Sequence, residues 1–128
     1  MAIRRFVVPA TVDESGDAEV YSPVLSGKLV SFRYVKPGSN GFEDGVDFVI
    51  TSEATGVTLW AEENVNASAT RHTRAPTHTT AGAAALYAGT GAVNSKIALS
   101  QDRVKIVIAN GTGDAGGETG AFHITIDG

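Results

Sequence analysis

The chain ends in two stretches, RVKIVIANG at residues 103–111 and TGAFHITIDG at residues 119–128, in which apolar and polar residues alternate. A strand that is buried on one face requires this period of two, because successive side chains point to opposite sides of a sheet. Two strands are therefore predicted, and the residues expected to face the core are Val104, Ile106, Ile108, Phe122, Ile124 and Ile126. A glycine-rich segment separates the two stretches, so we expect them to form an antiparallel hairpin.

The start of the chain predicts a strand at the edge of a sheet. Residues 3–12 are mostly apolar and β-branched, and Pro9 lies among them. Proline has no N–H to donate to a neighbouring strand, which favours an edge position. After a polar turn, residues 18–21 are expected to pair back on this strand. Residues 1–8 are also a candidate N-terminal arm that would reach a partner protein.

The middle of the chain predicts three more strands. Residues 28–35, 46–51 and 57–61 alternate in the same way, and a short turn between the last two predicts a hairpin. The first of these strands is expected to place one set of residues on one face and a second set on the other: Val30, Phe32 and Tyr34, and Leu29, Ser31 and Arg33. The second is expected to place Val46, Phe48 and Ile50 on one face. In the third strand the alternation places Trp60 on the face opposite to the core. Such a tryptophan either lies beneath a neighbouring loop or anchors a contact with another protein, because the buried centres of interfaces favour Trp.

A long segment precedes the last strands. Residues 67–74 are rich in Ala and Thr and predict a strand, whereas residues 75–95 follow without a clear alternation. Connections of this length are uncommon in compact domains unless they have a function. We therefore expect residues 75–95 to cover the core or to contact a neighbouring molecule.

Seven to nine short strands are predicted in all, at a spacing of about ten residues, with Gly, Pro, Asn and Ser at the turns. This spacing is typical of an antiparallel β-sandwich or barrel, because βαβ units would need helical patterns between the strands. The chain has 128 residues, which is enough for one hydrophobic core. We therefore expect an all-β protein with a single sandwich domain at residues 1–128 and one long loop.

Composition excludes several classes of function. The net charge is −4 and the ten Lys and Arg residues are scattered, which argues against a protein that binds nucleic acid through clustered cations. Cysteine is absent, so disulfides and cysteine zinc sites are excluded. No stretch approaches the roughly 20 apolar residues of a membrane span, and the N-terminus lacks a secretory signal. The chain is expected to remain in the cytosol or to assemble there into a larger particle.

The residues that most often carry chemistry are not grouped in this sequence. His72, His78 and His123 lack the spacing of zinc ligands. The acidic stretches at residues 43–47 and 113–118 do not follow the order of a calcium-binding loop and are interpreted as solvated turns. We therefore expect no catalytic, metal or cofactor site, and no enzymatic activity.

Arginines are the better candidates for contact residues, because a guanidinium forms bidentate hydrogen bonds with carboxylates of a partner. Arginines occur near the N-terminus and again in the threonine-rich stretch, and an aromatic residue accompanies the first group. The expected protein interface consists of Arg4, Arg5, Phe6, Trp60, Arg71 and Arg74.

Several motifs of strands and turns follow one another along the chain: YSPVLSGKL, GVDFVIT, TGVTLW, NSKIALSQDRVKIVIA and GAFHITI. Their order resembles that of the cement, or decoration, proteins of tailed-bacteriophage heads. The resemblance implies a jelly-roll sandwich, present in many copies, that binds the capsid exterior across joints between major capsid proteins of the HK97-type fold. It also implies a virion protein without active site or cofactor, and copies of the chain are expected to form a homo-oligomer, a dimer or a trimer, at a symmetry axis.

Strand addition is the expected mode of attachment, with residues 2–8 extending the sheet of a neighbour. Two other functions remain open. One is a different virion component, a head–tail joining or tail protein, which would form rings instead of covering the shell. The other is a carbohydrate-binding module, for which Trp60, Tyr34 or Tyr87 would have to form an exposed platform for a sugar.

Overall fold

The computed structural model describes residues 2–113 and 115–128, which contain strands and turns but no helix, and hence no helix that could cross a membrane. The strands of this described part are β1 (Ile3–Thr11), β2 (Ala18–Tyr21), β3 (Leu25–Val35), β4 (Val46–Ser52), β5 (Thr58–Val65), β6 (Ala69–Arg71), β7 (Ala75–Pro76), β8 (Leu86–Tyr87), β9 (Thr90–Ala92), β10 (Asn94–Ser95), β11 (Ala98–Asp102), β12 (Val104–Ala109) and β13 (Thr119–Asp127).

Two antiparallel sheets form the body of the protein. Sheet A has five strands in the order β1-β13-β3-β11, and β6 also pairs with β3, farther along its length. Sheet B has four strands in the order β2-β12-β4-β5. Their facing sides bury one continuous core, in which Tyr34 packs against Phe42, Phe48 and Phe122. The prediction of an all-β antiparallel protein is confirmed.

The alternation correctly predicted which residues of the last two strands face the core. Val104, Ile106 and Ile108 of β12 are buried, as are the corresponding residues of β13. The predicted hairpin is wrong, because β12 lies between β2 and β4 in sheet B whereas β13 lies between β1 and β3 in sheet A. The glycine-rich connection crosses between facing sheets, which lie about 10 Å apart, instead of turning back.

The prediction that residues 18–21 pair back on the first strand is also wrong, because the two strands lie in different sheets. β1 pairs with β13 over its whole length, from Ile3 opposite Asp127 to Thr11 opposite Thr119, while β2 pairs with β12 in the other sheet. The position of β1 at the edge of sheet A agrees with the interpretation of Pro9. Because Ile3–Thr11 is an integral strand, these residues do not form the separate arm that was expected at residues 1–8.

A β-bulge reverses the predicted orientation of Trp60. Ile50 lies opposite Trp60 and Thr51 lies opposite Thr58, so β5 contains one residue more than β4 at this point. The extra residue, Leu59, shifts the alternation, as bulges do. Leu59 and Trp60 are consequently both buried, with exposed fractions of 2% and 4%. The prediction that Trp60 faces away from the core is wrong.

A second bulge lies in β3. Ile126 is opposite Leu29 and Thr125 is opposite Ser31, so Val30 is the extra residue of β3. The residues expected to share a face with Val30 are Phe32 and Tyr34, and both are buried, but Leu29 is buried with them. The alternation is therefore correct on each side of the bulge and fails across it.

Candidate interaction surface

Arg71 joins the two sheets instead of standing free on the surface. Its Nε and Nη2 donate to Oε1 and Oε2 of Glu62 at 2.7 and 2.8 Å, and Trp60 Nε1 donates to the same Oε1 at 3.0 Å. Hydrogen bonding from Arg71 lowers the pKa of Glu62, although partial burial opposes this shift. Since Arg71 belongs to β6 and Glu62 to β5, this contact connects sheet A to sheet B along one side of the sandwich.

Two more of the expected contact residues have structural partners. Trp60 is buried among the aromatic rings of the core and is not an exposed contact residue, which corrects its assignment to the interface. Arg74 Nη1 donates to the carbonyl oxygens of Val30 and Thr73 at 3.0 and 2.8 Å. Arg74 thereby provides a hydrogen-bond donor for the carbonyl oxygen of Val30, the extra residue in the bulge of β3.

Arg4 and Phe6 lie together at the outer end of β1. The guanidinium carbon of Arg4 is 5.6 Å from the centre of the Phe6 ring, and Arg4 Nη2 is 3.4 Å from the carbonyl oxygen of Gly128. Phe6 is half-buried and packs against the core. Arg5 points to the opposite side of β1, so the six expected residues do not form one patch.

Arg5 belongs to a second group that sequence reasoning did not assemble. In sheet A, Val7 lies opposite His123, which lies opposite Arg33, and Arg5 lies opposite Thr125, the next outward residue of β13. Arg5, His123 and Arg33 therefore share the outer face of sheet A. Burial lowers the pKa of His123, and the charges of Arg5 and Arg33 lower it further. Arg5 and Arg33 are both exposed.

We define the outer face of sheet A as the outward side chains of β1, β13 and β3. They are Ile3, Arg5, Val7, Pro9, Thr11, Ala121, His123, Thr125, Ser31, Arg33 and Val35, followed at one end by Lys28 and Asp127. Asp127 is the one carboxylate among these described side chains, and its Oδ2 lies 3.9 Å from Nζ of Lys96. This face is therefore basic, although the whole chain has a net charge of −4.

The outer face of sheet B has a different charge pattern. The cations on β12 and just before it are paired, with Lys105 Nζ 3.4 Å from Glu19 Oε1 and Arg103 Nε 2.8 Å from Glu53 Oε1. The hydrogen bond from Arg103 lowers the pKa of Glu53. Most carboxylates lie on sheet B or in adjoining turns: Asp13, Glu14, Asp17, Glu19, Glu43, Asp44, Asp47, Glu53, Glu62 and Glu63.

An apolar groove continues the outer face of sheet A beyond the basic residues. It has a volume of about 270 Å³, and its lining includes Pro9, Val35, Pro37 and Ala121. Pro9 lies opposite Ala121, and Ala121 lies opposite Val35, so three neighbouring strands contribute to its floor. The same face thus offers cations at one end and an apolar depression at the other.

Residues 75–95, the projecting segment, form a separate small β structure outside the sandwich. β7 pairs with β10 and β8 pairs with β9. Three backbone hydrogen bonds join them, from Thr77 N to Val93 O at 2.8 Å, from Ala85 N to Thr77 O at 3.0 Å and from Val93 N to Ala85 O at 3.0 Å. Nearly all other residues of the segment are exposed. The segment does not cover the core.

The composition of the projecting segment is unusual for exposed chain. It contains no Asp, Glu, Lys or Arg and consists mainly of Ala, Thr and Gly. Leu86 and Tyr87 are exposed to 47% and 64%. Charged residues are depleted at the centres of protein interfaces, whereas Tyr is enriched there. The missing charge was readable from the sequence, but the exposure was not, because an uncharged segment is equally compatible with a buried loop.

A buried carboxylate that the sequence did not single out lies at the end of β11. Asp102 accepts hydrogen bonds from Ser52 Oγ and from the backbone N–H of Ala54, the latter at 3.0 Å. These bonds, led by that from Ser52, lower the pKa of Asp102. Because Ser52 ends β4 and Ala54 lies in the turn that follows, Asp102 holds that turn against sheet A. Its role in the described structure is to position the backbone.

Carboxylates of both acidic stretches have protein partners: Asp44 and Asp47 in the first stretch and, in the second, the buried Glu118, whose Oε2 accepts a hydrogen bond from Thr112 Oγ1 at 2.7 Å. Asp44 pairs with Lys36 at 2.8 Å, and Asp47 accepts from Asn64 N and Asn110 Nδ2 at 2.9 and 2.7 Å. In the second stretch, residues 113–118, Asp114 lies outside the described residues. Within residues 2–113 and 115–128 no three His, Asp or Glu side chains are grouped so that they could hold a metal ion.

The sequence matches no family model and no curated protein. Among solved structures, the crystal structure of FLHE is similar to this chain, with 9% sequence identity, a TM-score of 0.49 and 100% of both chains covered. A likeness of this degree carries no argument about function.

Proposed function

We propose that this chain is a structural virion protein that binds the outer surface of a phage capsid and cements neighbouring major capsid proteins of the HK97-type fold. In this proposal the protein is not an enzyme, and it needs no cofactor, nucleic acid or membrane. It is assembled onto the capsid exterior in the host cytoplasm and also contacts copies of itself.

The projecting segment is the observation that carries the proposal. It extends from the sandwich without adding to the core, yet its chain is ordered by its own hydrogen bonds. An exposed, uncharged segment with Leu86 and Tyr87 at its surface gains stability when another protein covers it, because apolar area is then removed from water. A protein whose function is contact with other proteins would have such a segment.

We further propose that the sandwich is a jelly roll. In chain order the strands of the body alternate between sheets: β1, β3 and β13 lie in sheet A, and β2, β4 and β12 lie in sheet B. Between β4 and β5 the chain remains in sheet B and forms a hairpin. The orders β1-β13-β3-β11 and β2-β12-β4-β5 are those expected when two Greek keys are wound into facing four-stranded sheets, which supports this topology.

Attachment in many copies would make modest affinity sufficient. Each copy that contacts two capsid subunits turns the second contact into an intramolecular event, which raises the overall avidity without new chemistry. Capsid subunits joined in this way separate less easily, and this is the physical basis of cementing.

The test is a binding and disruption assay with assembled capsids that lack this protein. Purified protein should bind to them in amounts that saturate, and the temperature at which the capsids disrupt should rise at saturation. Bovine serum albumin at the same concentration serves as the control. Saturating occupancy with an unchanged disruption temperature would remove the cementing function.

The two alternatives make different predictions. A head–tail joining or tail protein would form rings of defined copy number, visible by electron microscopy of the purified chain. A carbohydrate-binding module would need an exposed aromatic platform, but Trp60 and Tyr34 are exposed to only 4% and 0%. Tyr87 is exposed, so any binding to a sugar array would have to depend on Tyr87 and not on Trp60 or Tyr34.

A further inference from the structure

We propose that the outer face of sheet A is the surface that faces the capsid, and that it binds a carboxylate-rich protein surface. This inference rests on the proposed function and specifies which side of the molecule docks and what chemistry it recognises.

The geometry of the strands places the guanidiniums of Arg5 and Arg33 where one partner can reach both, with His123 on the strand between them. Arg5, His123 and Arg33 come from three adjacent strands, and His123 lies directly opposite Arg33. Side chains on adjacent strands of one face are neighbours at about 5 Å, or at about 7 to 8 Å along the diagonal. Arg33 Nη1 also donates to Thr70 Oγ1 at 3.2 Å, which restrains the position of its guanidinium.

The distribution of charge determines the chemistry of the partner. Arg5 and Arg33 have no carboxylate partner among the described residues, whereas Arg103 and Lys105 on the opposite sheet are paired with glutamates. Unpaired guanidiniums on one face favour carboxylates of another protein, to which they can donate two parallel hydrogen bonds. Complementary charge also raises the rate of encounter.

The apolar groove gives the same face a second kind of contact. It lies next to the basic residues, and Pro9 and Ala121 contribute to both its lining and the outer face. An apolar side chain of the capsid surface could fill it while neighbouring carboxylates pair with Arg5 and Arg33. The fitting partner is therefore a protein surface with carboxylates beside an apolar projection.

Two other occupants are less well matched to this face. A second copy of the chain that docked with the same face would bring Arg5 and Arg33 against their equivalents, and like charges repel. Duplex DNA would meet cations on this face but also the carboxylates of a chain with a net charge of −4. Both occupants are outcomes of the test below.

The experiment measures how single charge reversals on the two faces change the binding of the protein to assembled capsids. Arg5→Glu and Arg33→Glu change the proposed docking face, and Lys105→Glu is the matched control on an outward position of sheet B. We expect Arg5→Glu and Arg33→Glu each to weaken binding about tenfold or more, Lys105→Glu to change it less than about twofold, and wild-type binding to weaken with added salt. Circular dichroism melts check that each variant is folded.

The outcomes separate this inference from the function on which it rests. If wild-type protein binds capsids but all three folded variants bind equally well, the docking face is wrong and the proposed function stands. If wild-type protein does not bind capsids at low salt, both are overturned. The inference also fails if Arg5→Glu abolishes binding to duplex DNA, or dissociates a homo-oligomer in sedimentation, while capsid binding is unchanged.

Discussion

Gly120 shows how tightly single residues of β13 are packed. A Cβ at this position would lie 2.6 Å from Cε2 of Phe42 and 3.0 Å from Cε1 of Tyr34. Both rings are stacked on each other and buried, so neither can move away without disturbing the core. The close approach of this strand to the aromatic cluster therefore requires a residue without a side chain.

The first prediction concerns this contact. Gly120→Ala should lower the free energy of unfolding by about 1–3 kcal/mol, because one added methyl group overpacks a dense core. The matched control is Gly38→Ala, since nothing lies within 4 Å of a Cβ at Gly38. Urea denaturation of both variants measures the difference. Equal midpoints for the two variants would show that the rings can yield.

The second prediction concerns His123. Its pKa in the folded protein lies below the ordinary value of 6.5, first because of burial and then because of Arg5 and Arg33. The unfolded chain therefore binds a proton at a pH where the folded chain does not, and stability falls as the pH drops below about 6.5. The stability that the neutral His123 contributes is fully present above that pH.

His123→Gln should remove this part of the acid sensitivity. We expect the urea midpoint of the wild type to fall more than that of the variant between about pH 7.5 and about pH 5, where most carboxylates of the unfolded chain are still ionised. The matched control is His78→Gln, since His78 is exposed in the projecting segment. Identical losses in the wild type and His123→Gln would contradict the prediction.

At the scale of the elements, the projecting segment is separable from the sandwich. Its ends are held together by β7 and β10, with Pro76 opposite Asn94 and Ala75 opposite Ser95. A two-residue turn can therefore replace residues 77–93, because the strands on either side already lie at hairpin distance. The residues that would be removed include Leu86 and Tyr87.

The third prediction is that replacing residues 77–93 by Asn-Gly leaves the fold intact and changes the free energy of unfolding by less than about 1 kcal/mol, since few apolar contacts to the core are lost. Under the proposed function, the same variant should bind capsids more weakly by about tenfold or more. The double variant Leu86→Ser and Tyr87→Ser serves as a milder comparison. Unaltered capsid binding by the shortened chain would remove the segment from the contact surface.

The alternation of apolar and polar residues predicted which side chains of a strand are buried better than it predicted which strands pair with each other. In β4, Val46, Phe48 and Ile50 are buried as expected, and β5 pairs with β4 in the predicted hairpin. Periodicity describes one strand at a time, so it could not show that β12 and β13 lie in different sheets. It also could not reveal a bulge, and for this reason the orientation of Trp60 was wrong.

The candidate site depended even more on pairing between distant strands. Arg5 was a candidate from the sequence, and the outward positions of Arg33 and His123 were expected as well. What could not be known was the register that places them side by side, because β1 and β3 each pair with β13 and not with each other. Neighbouring charges on a face become visible only once the order and register of strands are known.

At the scale of the whole molecule, both sheets share one core. Buried side chains from every large strand belong to a single cluster, and the contact of Arg71 with Glu62 joins β6 to β5 at one side. Neither sheet buries its apolar face without the other. We therefore expect the sandwich to unfold as one cooperative unit.

The fourth prediction uses Trp60, the single tryptophan of the chain, as a probe of that cooperativity. It lies in sheet B and contacts Phe122 and Phe32 of sheet A, with ring centres 6.5 and 6.1 Å apart. Its fluorescence and the far-ultraviolet circular dichroism of the strands should change with the same urea midpoint. Two resolved transitions would mean that the sheets come apart separately.

The pairing of β1 with β13 has a consequence for biosynthesis. Its paired residues lie far apart in the sequence, from Ile3 with Asp127 to Thr11 with Thr119, so β1 is synthesised long before its sheet partner. β1 therefore stays without its sheet partner until β13 has been synthesised, and distant pairing of this kind slows folding and exposes apolar surface in the intermediates. Pro9, Arg4 and Arg5 lie on β1. Proline and charged residues on an unpaired strand disfavour its pairing with the strands of other chains.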